Sequence, residues 1–264
     1  MNAKKIDKFA TGGFYAVAFF IVAILCAFIA YILYKGLYMI TPSFLFGKPS
    51  ITRADGGIGP QIFNSLYMLV ISLIITVPIG IGAGIYLAEY AKEGIVLNII
   101  RLSLETMSSL PSIVIGMFGL LVFVNLAGWG YSIIAGALSV SILNIPSMTR
   151  ISETAIRHAS KKVKEASLGL GASKWQTIKK LTLPIAMKDI LTGIILASGR
   201  IFGEAAAFLY TAGLSSAMPN FNNISLTGKT SAFSLFRPAE TLAVHIWKLN
   251  SEGIVPDASA IASA

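Results

Sequence analysis

The sequence predicts an all-α, polytopic bundle of membrane-spanning helices, and three observations carry that prediction. Of its 264 residues, 55% are hydrophobic and only 12% are charged, about half the charge of an average chain. The mean hydropathy is +0.75. The apolar residues also come in long charge-free runs, and crossing about 30 Å of hydrocarbon at about 1.5 Å per residue needs roughly 20 of them. These figures exclude disorder, collagen, a coiled coil and a secreted disulfide scaffold. Cys26 is the single cysteine, so no intrachain disulfide or cysteine metal site can form.

We read 1–264 as one transmembrane domain with five visible spans. Lys8 and Lys35 enclose a run without charge. It is longer than a signal-peptide core of about 7–15 residues and has no convincing cleavage site, so 13–37 is a retained first span. The second, 62–88, is entered from Gly56-Gly57-Ile58-Gly59-Pro60 and closed by Glu89. Within it, Pro78 with Gly80, Gly82 and Gly84 permits close packing or a hinge. From Thr106 to Thr149 there are 44 residues without a charge, about twice what one crossing needs. That run must fold back at Gly128-Trp129-Gly130, giving spans at 104–127 and 130–149. The fifth, 190–211, holds Arg200 and Glu204. The small-residue stretch Pro256–Ala264 reads like the first turns of a sixth span that is cut short.

Lysine and arginine are retained on the cytoplasmic side of a membrane protein. The amino terminus, the segment after span two and the segment after span four carry fourteen of them, the opposite side six. The amino terminus is therefore expected inside, with 150–188 cytoplasmic and 212–256 extracytoplasmic. The net charge of +9 reflects this bias rather than nucleic-acid binding.

The segment 150–188 contains Glu165-Ala166-Ser167-Leu168-Gly169-Leu170-Gly171-Ala172-Ser173-Lys174-Trp175-Gln176-Thr177-Ile178-Lys179-Lys180-Leu181-Thr182-Leu183-Pro184. Ala166 and Ser167 are small enough for close approach to another surface, and Gly171 tolerates the backbone of a sharp turn between two short helices. Trp175 and Ile178, three apart, offer an apolar anchor beside basic residues. Pro184 stops the second helix before span five. A protruding helical knob joined to a membrane helix is expected.

This segment resembles the EAA loop of ABC-transporter permeases, with Ser167 replacing the second alanine and Leu181 an isoleucine. The resemblance implies the type I importer permease architecture. It implies that Glu165, Ala166, Ser167, Gly171, Trp175, Ile178, Leu183 and Pro184 couple the chain to a separate ATPase. Three further stretches are similar to phosphate-uptake (Pst) permeases, more of the A than of the C type: Ile85-Tyr86-Leu87-Ala88-Glu89-Tyr90, Leu110 to Gly119, and Gly199-Arg200-Ile201-Phe202-Gly203-Glu204. The similarity runs from about Gly57 to Gly213. It implies a multi-pass subunit of a bacterial or archaeal inner membrane. The implied partners are a paralogous C-type permease, ATPase subunits, an extracytoplasmic phosphate-binding protein and membrane lipid, but not nucleic acid. No cofactor is expected on this chain, and ATP and Mg belong to the ATPase. Gly228-Lys229-Thr230 imitates a phosphate-binding loop, but Asn223 stands where the first glycine is required.

Two charges in one span are expensive. Arg200 and Glu204, four apart, would lie on one helix face within reach of each other, and Gly199 with Gly203 would admit a second helix. Two readings stand. Arg200 presents a guanidinium to an oxyanion in the substrate path while Glu204 neutralises it when the path is empty, or the two form a buried pair that fixes helix register. Glu105 reads as a favourable acid at a helix start or as a gate residue, and Arg150 with Glu153 as a helix face. His158 and His245 are isolated. Leu242, Ile246 and Leu249 fit an amphipathic helix at the outer interface or a helix packed between spans. Other oxyanions such as molybdate or sulfate, an ion-coupled secondary transporter and a membrane-embedded enzyme are the competing functions. The enzyme reading lacks a nucleophile–base pair and metal-ligand spacing.

Overall fold

The structure, a computed structural model, describes residues 3–47, 56–215, 218–228 and 231–252. Among these described residues the named elements are all helical, with one isolated bridge between Asn220 and Ser231. Among the described residues, four helical runs are long and apolar enough to cross a membrane: Asp7–Met39, Gly59–Tyr90, Ile133–Lys161 and Lys174–Phe202. The bent pair Ile95–Ser108 and Ser112–Leu126 makes a fifth if it counts as one span. Pro256–Ala264, read as the start of a sixth span, and Lys229 and Thr230 of the phosphate-loop imitation lie outside the described residues.

The chain divides into two compact units, Met1–Ile58 with Lys248–Ala264, and Gly59–Trp247. The first holds α1 (Ala3–Gly36), a 3-10 turn (Leu37–Met39) and α2 (Pro42–Phe46). Side chains of α1 from Asp7 to Tyr34 are exposed, and a helix apolar on all sides suits lipid. Thr41 caps α2, its hydroxyl accepting from the Phe44 N–H at 3.2 Å, with Pro42 in the first turn where no N–H is needed.

The second unit is built on α3 (Gly59–Ile85, continued by a π turn, Tyr86–Tyr90) and α6 (Ile133–Gly169). Their close approach requires glycine. A Cβ on Gly80 would lie 2.6 Å from Met148, and one on Gly84 2.5 Å from Ser152, so a larger residue would push the helices apart. Between them in sequence come α4 (Ile95–Ser108) and α5 (Ser112–Gly119, continued by a π turn, Leu120–Leu126), bent by 94° at their junction. This corrects the expected span at 104–127. Pro111 lacks an N–H and disfavours helix at the residue before it, so the second arm starts afresh at Ser112. Ile95, Val96 and Ile99 of α4 remain exposed. The fold-back falls where the sequence placed it, with Gly128 at φ +69 and Gly130 at φ +66.

At 37 residues, α6 is about 55 Å long at about 1.5 Å per residue, far more than the roughly 30 Å of a hydrocarbon layer. The expected fourth span, 130–149, is therefore only its first part, and the segment read as a loop from 150 is a helical continuation. The chain returns through α7 (Lys174–Thr177), a π turn (Ile178–Thr182) and α8 (Leu183–Phe202). Then come α9 (Ala206–Thr211) and α10 (Leu242–Glu252). One core cluster joins Met68 of α3, Ile133 and Val140 of α6, Ile201 of α8 and Phe208 of α9. A second joins Met148, Ala155, Ile156 and Ala159 of α6 to Ala186 and Ile190 of α8.

The segment before α10 is pinned to the first turns of α3 by a buried polar network. Glu240, fully buried, accepts from Gln61 Nε2 at 3.1 Å, and its carbonyl accepts from Asn64 Nδ2 at 3.0 Å. Arg237 Nη2 donates to Asn64 Oδ1 at 2.7 Å and Arg237 Nε to the Ala232 carbonyl at 3.0 Å. Its guanidinium lies 6.0 Å from the Phe63 ring centroid. Burial pulls the Arg237 pKa below its ordinary value, opposed by the Tyr67 hydroxyl. His245 Nδ1 stands 3.3 Å from Glu240 Oε1, and Val244 is fully buried while Ile246 and Trp247 are exposed.

Candidate functional site

The knob forms where α6 ends and α7 begins. Gly171 takes φ +83, a left-handed conformation that other residues adopt only at a cost. Around it the turn closes on itself: the Leu170 N–H donates to the Ala166 carbonyl at 3.1 Å and the Ala172 N–H to the Ser167 carbonyl at 3.2 Å. Ser173 then starts α7 with a capping box, the Gln176 N–H donating to its hydroxyl at 3.3 Å and its own N–H donating to Gln176 Oε1 at 2.8 Å. Both ends of the reversal thus satisfy their orphan backbone groups locally. The two arms are joined by the Ser167 and Thr177 hydroxyls, 2.8 Å apart and buried.

The structure sorts the eight predicted coupling residues into three groups. Glu165, Ala166, Gly171, Trp175 and Pro184 are exposed, Ser167 and Ile178 are buried and Leu183 is half-buried. Trp175 is 57% exposed and Ile178 1%. The expected Trp175–Ile178 anchor is therefore corrected: Ile178 is buried and only Trp175 of the two stands outside. Ser167 likewise serves the internal joint rather than a close external approach. Leu170, 89% exposed, and Leu168, 42% exposed, are apolar side chains of the knob that are likewise open to the outside. Sequence reasoning passed over both leucines, although two apolar residues flanking a glycine in a basic segment were the available signal.

Pro184 does not stop the helix. α7, the π turn and α8 form one run from Lys174 to Phe202, and the Leu183 N–H reaches back to the Ile178 carbonyl. Pro184 occupies the first turn of α8, and the π register ahead of it accommodates the missing N–H. The knob is thus continuous with membrane-length helices on both sides, α6 and α8.

At the far end of α8 the expected Arg200–Glu204 arrangement is also corrected. The helix ends at Phe202, and Gly203 and Glu204 tighten with bonds to the carbonyls of Gly199 and Ile201 at 3.1 and 3.3 Å. The two side chains therefore do not share a continuous helix face. Glu204 is buried and accepts from the Ala207 N–H at 3.1 Å, holding the start of α9. Arg200 is exposed and makes no ion pair among the described residues. A Cβ on Gly199 would meet nothing within 4 Å, so no described helix uses the close approach that Gly199 and Gly203 offer.

On the knob side of the bundle the charges form a lattice. Glu153 accepts from Arg101 Nη2 at 2.7 Å and from Arg157 Nε at 3.1 Å, and Glu93 lies 3.8 and 3.5 Å from the same two guanidiniums. Arg150 pairs instead with Glu105 at 3.5 Å, both exposed. A recess of about 440 Å³ opens nearby, lined by Glu89, Arg157, His158, Lys161, Lys164 and Glu165 among others.

Residues 80–242 match the model of the binding-protein-dependent transport system inner membrane component family. The chain is 52% identical over 263 residues to the probable ABC transporter permease protein YqgI of Bacillus subtilis, covering all of this chain and 90% of that protein. It is 33% identical over 204 residues to the phosphate transport system permease protein PstA of Yersinia pestis, covering 76% of this chain and 63% of that protein. It is 32% identical over 178 residues to the probable ABC transporter permease protein YqgH of Bacillus subtilis, covering 65% of this chain and 57% of that protein. With a helical knob set between membrane-length helices and a family match over more than half its length, the chain belongs to the binding-protein-dependent transport system inner membrane components, a family of ABC-transporter permease subunits.

Proposed function

We propose that this chain is a membrane-spanning subunit of an ATP-driven importer of inorganic phosphate. Its knob lies in the cytoplasm and takes up motion from a separate ATPase, which holds ATP and Mg. The observation that carries the coupling role is the rigid reversal at Gly171, continuous with both α6 and α8 and bearing exposed Leu170 and Trp175. A partner that seats on those side chains would move two membrane helices at once. The excess of lysine and arginine on the knob side supports a cytoplasmic amino terminus. Phosphate is supported by the PstA relatives and by Arg200, whose planar fork of donors suits a tetrahedral oxyanion and stays protonated. In this reading Arg200 presents its guanidinium to the translocation path, and Glu204 acts on it by fixing the break after α8. A paralogous C-type permease covers the exposed faces, and an extracytoplasmic phosphate-binding protein delivers the anion.

The test replaces Gly171 by valine in the assembled transporter. Membrane insertion should survive, while phosphate uptake is lost and ATP hydrolysis no longer responds to substrate. Normal uptake would refute the coupling role. Competition by molybdate or sulfate against labelled phosphate decides the anion, and uptake that follows an ion gradient without an ATPase would point to secondary transport.

A further inference from the structure

The stretch Ile85 to Tyr90 marked the family resemblance, and in the sequence it had no task beyond closing the second span at Glu89. In the structure Tyr86–Tyr90 is the π turn that ends α3, and it meets both arms of the knob. Lys164, on the α6 arm, places Nζ 2.8 Å from Glu89 Oε2. Lys174, on the α7 arm, donates Nζ to the Glu89 carbonyl and lies 4.7 Å from the Tyr90 ring centroid. Arg157 Nη2 donates to the Leu87 carbonyl at 3.2 Å. The last carbonyls of a helix lack intrahelical donors and carry its negative dipole end, so Lys174 and Arg157 satisfy two of these backbone acceptors, and with Lys164 on the Glu89 carboxylate the three cations offset that dipole.

We infer that Glu89 is a positioning residue that couples the knob to α3, an inference that rests on the coupling role proposed above. α6 and α8 are joined to the knob through the backbone, whereas α3 is joined only through side chains at this point. Lys164 and Lys174 stand on either side of Gly171, so any rotation of the reversal shifts both of them against the end of α3. The Glu89 side chain is 3% exposed and that of Lys164 38%. The carboxylate is thus fixed in α3 while the lysine that reads it stays partly in solvent, able to follow the knob without unpacking the core. Gly80 and Gly84 pack α3 closely against α6, so a pull on Glu89 is carried along α3 rather than lost in its last turn.

The experiment uses the assembled transporter in proteoliposomes and reads labelled phosphate taken up per ATP hydrolysed, together with melting temperature. Glu89→Gln and Lys164→Met should each lower the uptake per ATP by about tenfold, the size of an ordinary coupling term, while ATP hydrolysis continues. Lys174→Met tests the second grip independently, and Lys164→Arg, which keeps the charge, should restore the ratio. If Glu89→Gln lowers the melting temperature but leaves uptake per ATP unchanged, the residue is only a helix cap and the inference fails. If Gly171→Val uncouples and neither Glu89→Gln nor Lys174→Met does, the clamp fails while the coupling role stands. If Gly171→Val also leaves the ratio unchanged, both fall.

Discussion

Each end of α3 is fastened to a distant part of the chain, and the two fastenings use different chemistry. At its start, Gln61 and Asn64 reach Glu240 and Arg237 through buried hydrogen bonds, and Phe63 and Tyr67 wall the site with Phe221 and Phe233. At its other end, Glu89 is held by two lysines on the knob, with Arg157 on the carbonyl of Leu87. A buried network has no water to replace a lost partner, so it holds one geometry. At the knob end only the carboxylate is buried, and its partners Lys164 and Lys174 stay half in solvent, where they can shift against it. Rigidity at one end and adaptability at the other suit a helix anchored at the first and driven at the second.

Substitutions can break this contrast, beginning with the largest effect on stability. Arg237→Met should destabilise the fold by about 3 kcal/mol, since Asn64 Oδ1 and the Ala232 carbonyl lose their donor inside the protein; thermal unfolding in detergent measures it. A melting temperature equal to that of the unmodified protein would show the network to be dispensable. Next, Gly171→Val should cost about 1–2 kcal/mol through its left-handed backbone. Gly171→Asn should cost less, because asparagine tolerates that conformation and a Cβ there meets nothing within 4 Å. Protease cleavage between 165 and 177 should rise for valine and stay low for asparagine.

A double-mutant cycle on Arg101 and Glu153 should give a coupling of about 1 kcal/mol at low salt that shrinks as ionic strength rises. A salt-independent value would mean that this lattice behaves like the buried network. Smallest for stability, within about 0.5 kcal/mol, are Leu170→Ser and Trp175→Ser. Both should nevertheless abolish co-purification of the ATPase, and retention of that subunit would remove the outer knob surface from the docking interface.

Composition and run length were enough to establish an all-helical membrane protein, because lipid demands about 20 apolar residues per crossing whatever the neighbours are. The reversal at Gly171 and the turn at Gly128 and Gly130 were legible for a local reason, since a left-handed residue is chosen by its own backbone. The break at Pro111 was equally local in cause but was hidden by an apolar composition that does not change across it. The pairing of Arg200 with Glu204 failed because spacing by four assumes an unbroken helix, and α8 stops at Phe202.

Which knob residues face inward was decided only by tertiary structure. Ile178 and Trp175 look equivalent in sequence, yet one is buried and the other exposed. The links from Gln61 to Glu240 and from Glu89 to Lys164 and Lys174 join residues far apart in the chain, and no local propensity encodes them. The sequence determined what must lie in lipid and where the backbone must reverse, because those demands act residue by residue. The three-dimensional packing decided which charges meet and therefore which helices move together, because an ion pair or a buried hydrogen bond depends on distances that folding alone sets.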